Sequence, residues 1–300
     1  MLSRRDIEKE LGKGINIIPL NRDNVKENSI NITIGSNAWT MKDLTVYWYG
    51  DDKFSSKKEK NTNPQEFVLK KTESCIITAG KQDYLLLLPH TTTIVETLEV
   101  IGLGNNIGGA VHSKVGIVAK GVGHIGTMLG PGYCGHLMVS LHNITDEVIA
   151  LEVNSTFASL TFDYLNTQVA RTSSTTSGHV DKFSELGIQI SSEIRKELTA
   201  DWKSNIEGVR EAMKKTPEYK EYKEYIKKNR WNEVKKYINK RNVIAIGAVI
   251  VAFIALLNLA QFADSTLSEP VWEERFWNYG CSGLVGSFLI GLFNFIKDKK

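Results

Sequence analysis

Residues 85–118 read LLLLPHTTTIVETLEVIGLGNNIGGAVHSKVGIV. Tyr84–Leu88 and Thr93–Val100 are runs of aliphatic and β-branched residues parted by Pro89 and His90, which marks two strands and a turn. Gly102–Gly126 then becomes glycine-rich around His112, Ser113 and Lys114. Glycine lets a backbone approach a ligand closely, and a lysine there offers charge to a phosphate. On either side the same strand signals recur at Ser29–Ile34, Cys75–Thr78, Leu137–Leu141 and Phe157–Phe162. Many short strands at regular spacing indicate a barrel or jelly-roll-like head. Leu129–Asn143 (LGPGYCGHLMVSLHN) is a tight Gly-Pro-Gly turn entering a strand. Its Tyr133 suits either a sugar or base contact or the hairpin's own core. Ser3–Leu11 reads as a short helix, with Ser3 as cap and Asp6 three residues on.

Composition sets limits. The chain has 300 residues and a net charge of +3, so charge alone makes no case for nucleic-acid binding. Cys75, Cys134 and Cys281 form no CxxC or CxxH pattern, which argues against a zinc site and a disulfide framework. Met1–Leu11 is charged and amphipathic rather than apolar, so no signal peptide is expected and the head is expected in the cytosol.

Beyond the head the character changes twice. Residues 166–180 are Ser/Thr-rich and aperiodic, a linker. Residues 181–242 carry apolar side chains at Phe183, Leu186, Ile190, Ile194, Leu198, Trp202, Ile206, Val209 and Met213, a helical step, interrupted at Pro217. This predicts a helical stalk. A self-associating stalk and an amphipathic helix packed on the head or on lipid fit equally. Val243–Ala260 (VIAIGAVIVAFIALLNLA) is uncharged and spans roughly 27 Å as a helix. Residues 280–296 form a second apolar run, with Gly283, Ser287 and Gly291 on a small-residue face. Lys235, Lys236, Lys240 and Arg241 precede the pair, and Lys297, Lys299 and Lys300 lie in the tail at 297–300. The loop at 261–279 carries Asp264, Glu269, Glu273 and Glu274. The positive-inside rule then predicts a transmembrane hairpin in the inner membrane with both termini cytoplasmic.

Several blocks, in order, resemble the dCTP deaminase/dUTPase superfamily. LSRRDIEKELGKGINIIPL followed by NSINITIG looks like the start of a dCTP deaminase; the 85–118 stretch resembles the strand, crossover and phosphate loop; GYCGHLMVSLHN resembles the fourth block; FASLTF matches the closing strand. The resemblance covers residues 1–165. It implies a distorted β-barrel, a homotrimer with nucleotide sites between subunits, and nucleotide triphosphate bound with Mg2+. By position it places Gly109, Ala110, His112, Ser113 and Lys114 at the phosphates, Tyr133 at the deoxyribose, Leu137 and Val139 at the base edge, and Gly132 and Ser159 at the site. No protein metal ligand is implied.

The departures concern catalysis. The deaminase proton-shuttling glutamate is replaced by Ser140, and the dUTPase water-activating aspartate by Gly130. Neither serine nor glycine serves as a general base at neutral pH. His112, His124 and His136 are candidate substitutes. The expected function is a catalytically degenerate (deoxy)nucleotide sensor coupled to a transmembrane effector, an arrangement suited to anti-phage defence. The alternative is an active, membrane-tethered dCTP deaminase or dUTPase.

Overall fold

The computed structural model describes residues 1–123, 126–169 and 180–237. Chain contacts divide it into two units, residues 1–227 and 228–300. The first unit carries the head. It opens with α1 (Arg4–Glu10), where the Ser3 hydroxyl accepts the Asp6 N–H and the Asp6 carboxylate accepts the Ser3 N–H. That capping box is the one read from the sequence.

The strands follow as β1 (Ile15–Ile18), β2 (Ile30–Thr40), β3 (Leu44–Trp48), β4 (Phe54–Ser55), β5 (Gln65–Leu69), β6 (Ile76–Ala79), β7 (Gln82–Leu87), β8 (Thr91–Leu103) and β9 (Ile107–Ser113). After α2 (Val115–Val118) come β10 (Val122–Gly123), β11 (Met128–Leu129), β12 (Cys134–Asn143), β13 (Ile149–Glu152) and β14 (Thr156–Tyr164). The main sheet runs β10–β12–β8–β2–β14–β9–β11, with β1 also on β8. Small antiparallel sheets β13–β7–β6 and β4–β3–β5 complete the head.

Register shifts at Ile34/Ala38, His136/Met138 and Thr156/Ala158 curl the main sheet, because each bulge adds local twist. At the first, a side chain on Gly35 would stand 2.8 Å from the Glu96 carbonyl oxygen, so only glycine fits. The expected distorted barrel is a half-barrel: its end strands β10 and β11 do not pair with each other. Two expectations shift locally. Much of the glycine-rich 102–126 stretch is strand, and β3, β4 and β5 had no clear alternating signal.

The predicted stalk also differs. Its described part is α3 (Val180–Glu185), α4 (Ser192–Leu198), a 3-10 turn (Asp201–Lys203), α5 (Ile206–Lys215) and α6 (Pro217–Tyr237). The breaks have local causes. Gly187 takes φ +75, Ser191 and Asn205 cap new helices, and Pro217 starts α6. The segment lies against the head. Phe183, Ile188 and Leu198 pack with Trp39 and Ile94, and the Trp39 and Phe183 ring centroids are 4.7 Å apart. Val209 meets the α-carbon of Gly102 so closely that an added Cβ would lie at 3.2 Å. Tyr222 and Ile226 join the main core. Among the described residues no helix is long and apolar enough to cross a membrane. The hairpin at 243–260 and 280–296, the loop at 261–279, the tail at 297–300 and most of the 166–180 linker lie outside them.

If residues 183–198 are part of the head, Leu198→Ala should cost about 3 kcal/mol and lower the melting temperature of the head itself. Differential scanning calorimetry of the full chain would read this; an unchanged head transition would mean that the segment folds independently.

Candidate functional site

The glycine-rich residues gather on one part of the sheet. Strand β9 pairs with β14 so that His112 faces Ser159, Ser113 faces Ala158 and Ala110 faces Thr161. A side chain on Gly109 would lie 2.9 Å from the Thr161 carbonyl oxygen, which explains the glycine sterically. Lys114 follows β9, and its ammonium donates to the Thr156 hydroxyl at 2.6 Å. The Ser159 hydroxyl donates to Asn31 Oδ1 at 2.8 Å, and His112 Nε2 lies 3.1 Å from the Thr161 hydroxyl. Hydroxyls, an amide and one ammonium thus line the β9–β14 ladder, a set suited to an anion's oxygens.

The second predicted group lies elsewhere in the same chain. Tyr133 closes the Gly130–Tyr133 turn, with its N–H on the Gly130 carbonyl and Gly132 at φ +80. Its ring is buried and its hydroxyl donates to the His136 carbonyl at 2.5 Å. Leu137 and Val139 are buried on β12. Leu137 sits at the bulge, where its N–H donates to the Thr97 hydroxyl at 3.0 Å. Strands β8, β2 and β14 separate β12 from β9 across the sheet. The covalent link is short, because β11 pairs with β9 and leads directly through the turn into β12. Gly130 is exposed with open space beside it. Ser140 pairs with Ile94, and Ile94 and Met138 pack in the cluster built on Trp39 and Phe183.

A buried ionisable network, absent from the sequence reading, sits beside this cluster. Glu96 (3% exposed) accepts from Asn37 Nδ2 at 2.6 Å. The Lys203 ammonium (6% exposed) lies 2.9 Å from His136 Nε2. An ammonium only donates, so Nε2 accepts and the imidazole proton is on Nδ1. That N–H reaches the Thr97 carbonyl at 2.8 Å, with Glu96 Oε1 at 3.3 Å. Burial first, and the Lys203 charge second, push the His136 pKa down to about 4. Burial pushes Glu96 up to about 7. His136 is therefore neutral, with both ring nitrogens engaged. His112 is exposed on β9, away from Ser140 in the sheet order, and His124 lies outside the described residues. The available signal for the network was Glu96 within a long run of β-branched and aliphatic residues.

Among the described residues no three His, Cys, Asp or Glu side chains converge on a point where they could hold a metal ion.

A family model described as dCTP deaminase-like matches residues 1–165. No curated protein matches the chain. Among solved structures, the 2'-deoxycytidine 5'-triphosphate deaminase of Agrobacterium tumefaciens is similar at 16% identity and a TM-score of 0.37, over 55% of this chain and 48% of that one. The chain thus spans about half the length of that protein. The dUTPase of Staphylococcus bacteriophage 80alpha, solved with dUpNHpp, is similar at 14% identity and a TM-score of 0.26, over 30% of this chain and 78% of that one. The phage phi11 dUTPase of S. aureus, whose structure describes coordination of a structural Mg(II) ion, is similar at 14% identity and a TM-score of 0.25, over 30% and 76%.

The two shifted groups predict opposing pH effects. A raised Glu96 pKa contributes stability below about pH 4.5 that is lost as pH rises through about 7. A lowered His136 pKa contributes stability above about pH 6.5 that is lost as pH falls through about 4. Glu96→Gln keeps the Asn37 contact and removes the first effect. Relative to wild type it should gain up to about 3 kcal/mol between pH 5 and pH 8, measured by urea unfolding at each pH. A difference that does not change with pH would refute the assignment to Glu96.

Proposed function

The chain belongs to the dCTP deaminase-like family, and from that premise we propose that its head binds a nucleotide without converting it and acts as a membrane-tethered sensor. The observation that carries this reading is the setting of Ser140. It stands where the family's catalytic glutamate is expected, and its cross-strand neighbour Ile94 packs under Phe183 and Leu198. The histidine on the same strand, His136, is locked by Lys203 and Thr97. Lys114, Ser113 and Ser159 supply groups for phosphate oxygens on the β9–β14 ladder. With no converging protein ligands among the described residues, Mg2+ would enter on the phosphates and supply charge neutralisation there.

The β12 and β9 groups lie on separate strands of one chain, which agrees with a homotrimer whose sites are shared between subunits. Residues 243–260 and 280–296 would anchor that trimer in the inner membrane, and a ligand would act by favouring one of two packings of the assembly. The second reading, an active dCTP deaminase or dUTPase, is favoured by one observation: a buried carboxyl at Glu96 pushed to about 7, in the range useful for acid–base catalysis.

The full chain in detergent micelles, screened against each dNTP and NTP with Mg2+, separates the two. The expected result is a nucleotide-specific thermal shift, about tenfold weaker binding for Lys114→Ala, and no dUTP or dUMP by chromatography. Turnover of dCTP or dUTP would replace the sensor with the enzyme, and Glu96→Gln would then be the first variant to assay.

A further inference from the structure

A cavity of about 430 Å³ lies in the first unit, away from Ser140, where the loop after β1, Leu98 and Glu99 of β8 and the start of α6 meet. Cavities of this size accept small organic ligands. Three features define what it suits.

The first is Glu99, a lining residue that is only 3% exposed. One carboxylate oxygen accepts the Thr33 backbone N–H at 2.9 Å. Burial raises its pKa, and hydrogen bonds from the Thr33 side chain and backbone work against the rise. Among the described residues no Lys, Arg or His forms an ion pair with it, and it lines the cavity. An almost fully buried carboxylate without a countercharge is costly unless a donor meets it.

The second is the balance of charge. Glu99, Glu218 and Glu221 line the space against a single cation, Arg22. That excess of acid repels phosphate, so this cavity is ill suited to a nucleotide triphosphate. The third is an aromatic wall from α6. Tyr222 and Tyr225 stack at 6.2 Å with their planes 14° apart, and the Arg22 guanidinium already lies 3.5 Å from the Tyr225 ring centroid. One Tyr225 face thus already carries a planar cation, and a ligand cation would stack there by displacing Arg22.

We propose that this cavity is a second ligand site, for a small organic cation bearing an amine or guanidinium group, with Glu99 as the anionic anchor and Tyr225 as the stacking face. The assignment does not rest on nucleotide binding. It deals with a separate cavity and a ligand of opposite charge. Because Tyr222 and Tyr225 belong to α6, a bound cation would join that helix to β8 and hold its first turns in place.

Isothermal titration of the full chain in detergent micelles with agmatine, which carries both an amine and a guanidinium group, tests this. Binding is expected, at least tenfold weaker in Glu99→Gln and several-fold weaker in Tyr225→Leu. Hydrogen exchange across residues 217–225 should slow when agmatine is present. Glutamine keeps an acceptor for the Thr33 N–H, and melting temperatures would confirm folding; if Glu99→Gln is unstable, Tyr225→Leu decides. No binding to the wild type, or equal binding in a folded variant, overturns the proposal whatever the nucleotide screen shows.

Discussion

Strand β8 is covered on both edges and both faces, and much of the head is arranged to satisfy it. Along one edge it pairs with β12; along the other it pairs first with β2 and then with β1. Alternation sends Val95, Thr97, Ile101 and Leu103 to one side and Ile94, Glu96 and Gly102 to the other. The first set belongs to the curled interior. The second set would face water in a bare half-barrel, and residues 183–209 cover it. Phe183 and Leu198 lie over Ile94, Lys203 reaches the His136 beside Glu96, and Val209 closes on Gly102.

That cover mixes two kinds of contact. Burying Phe183 and Leu198 contributes about 2 kcal/mol each and has little directional demand. The Lys203–His136–Glu96–Asn37 chain is directional and largely dry, so each member must find its partner or leave a buried polar group unmet. The apolar contacts therefore supply most of the adhesion, while the polar chain sets the position of the 201–203 turn on β12. The same logic explains why His136, titratable in isolation, is held neutral here.

The consequence for function is that the segment approaching the proposed membrane anchor begins as part of the head. Tyr222 and Ile226 are in the main core, and the Tyr222 hydroxyl donates to Glu8 on α1 at 3.0 Å. A ligand on the head can influence α6 only by interacting differently with two arrangements of these contacts. The β9–β14 ladder and the cavity beside Glu99 share a wall at Thr156, which receives the Lys114 hydrogen bond and lines the cavity.

Much of the head was legible in the residues themselves. Strand blocks at Ser29–Ile34, Tyr84–Leu88, Thr93–Val100, Leu137–Leu141 and Phe157–Phe162 fall on strands because alternation and β-branching are local properties. The Ser3–Asp6 cap and the glycines of β9 were legible for the same reason. Strands β3, β4 and β5 were not, because each has at most five residues, too few to show a periodicity. What only the tertiary structure decided was the fate of residues 183–226 and of the charges they cover. An apolar stripe shows that a helix must bury one face but does not name its partner, so a free stalk and a docked segment share one pattern. Glu96, Glu99 and Lys203 look like surface charges in sequence. Their burial follows from long-range packing, which brings Lys203 to a histidine 67 positions earlier in the chain.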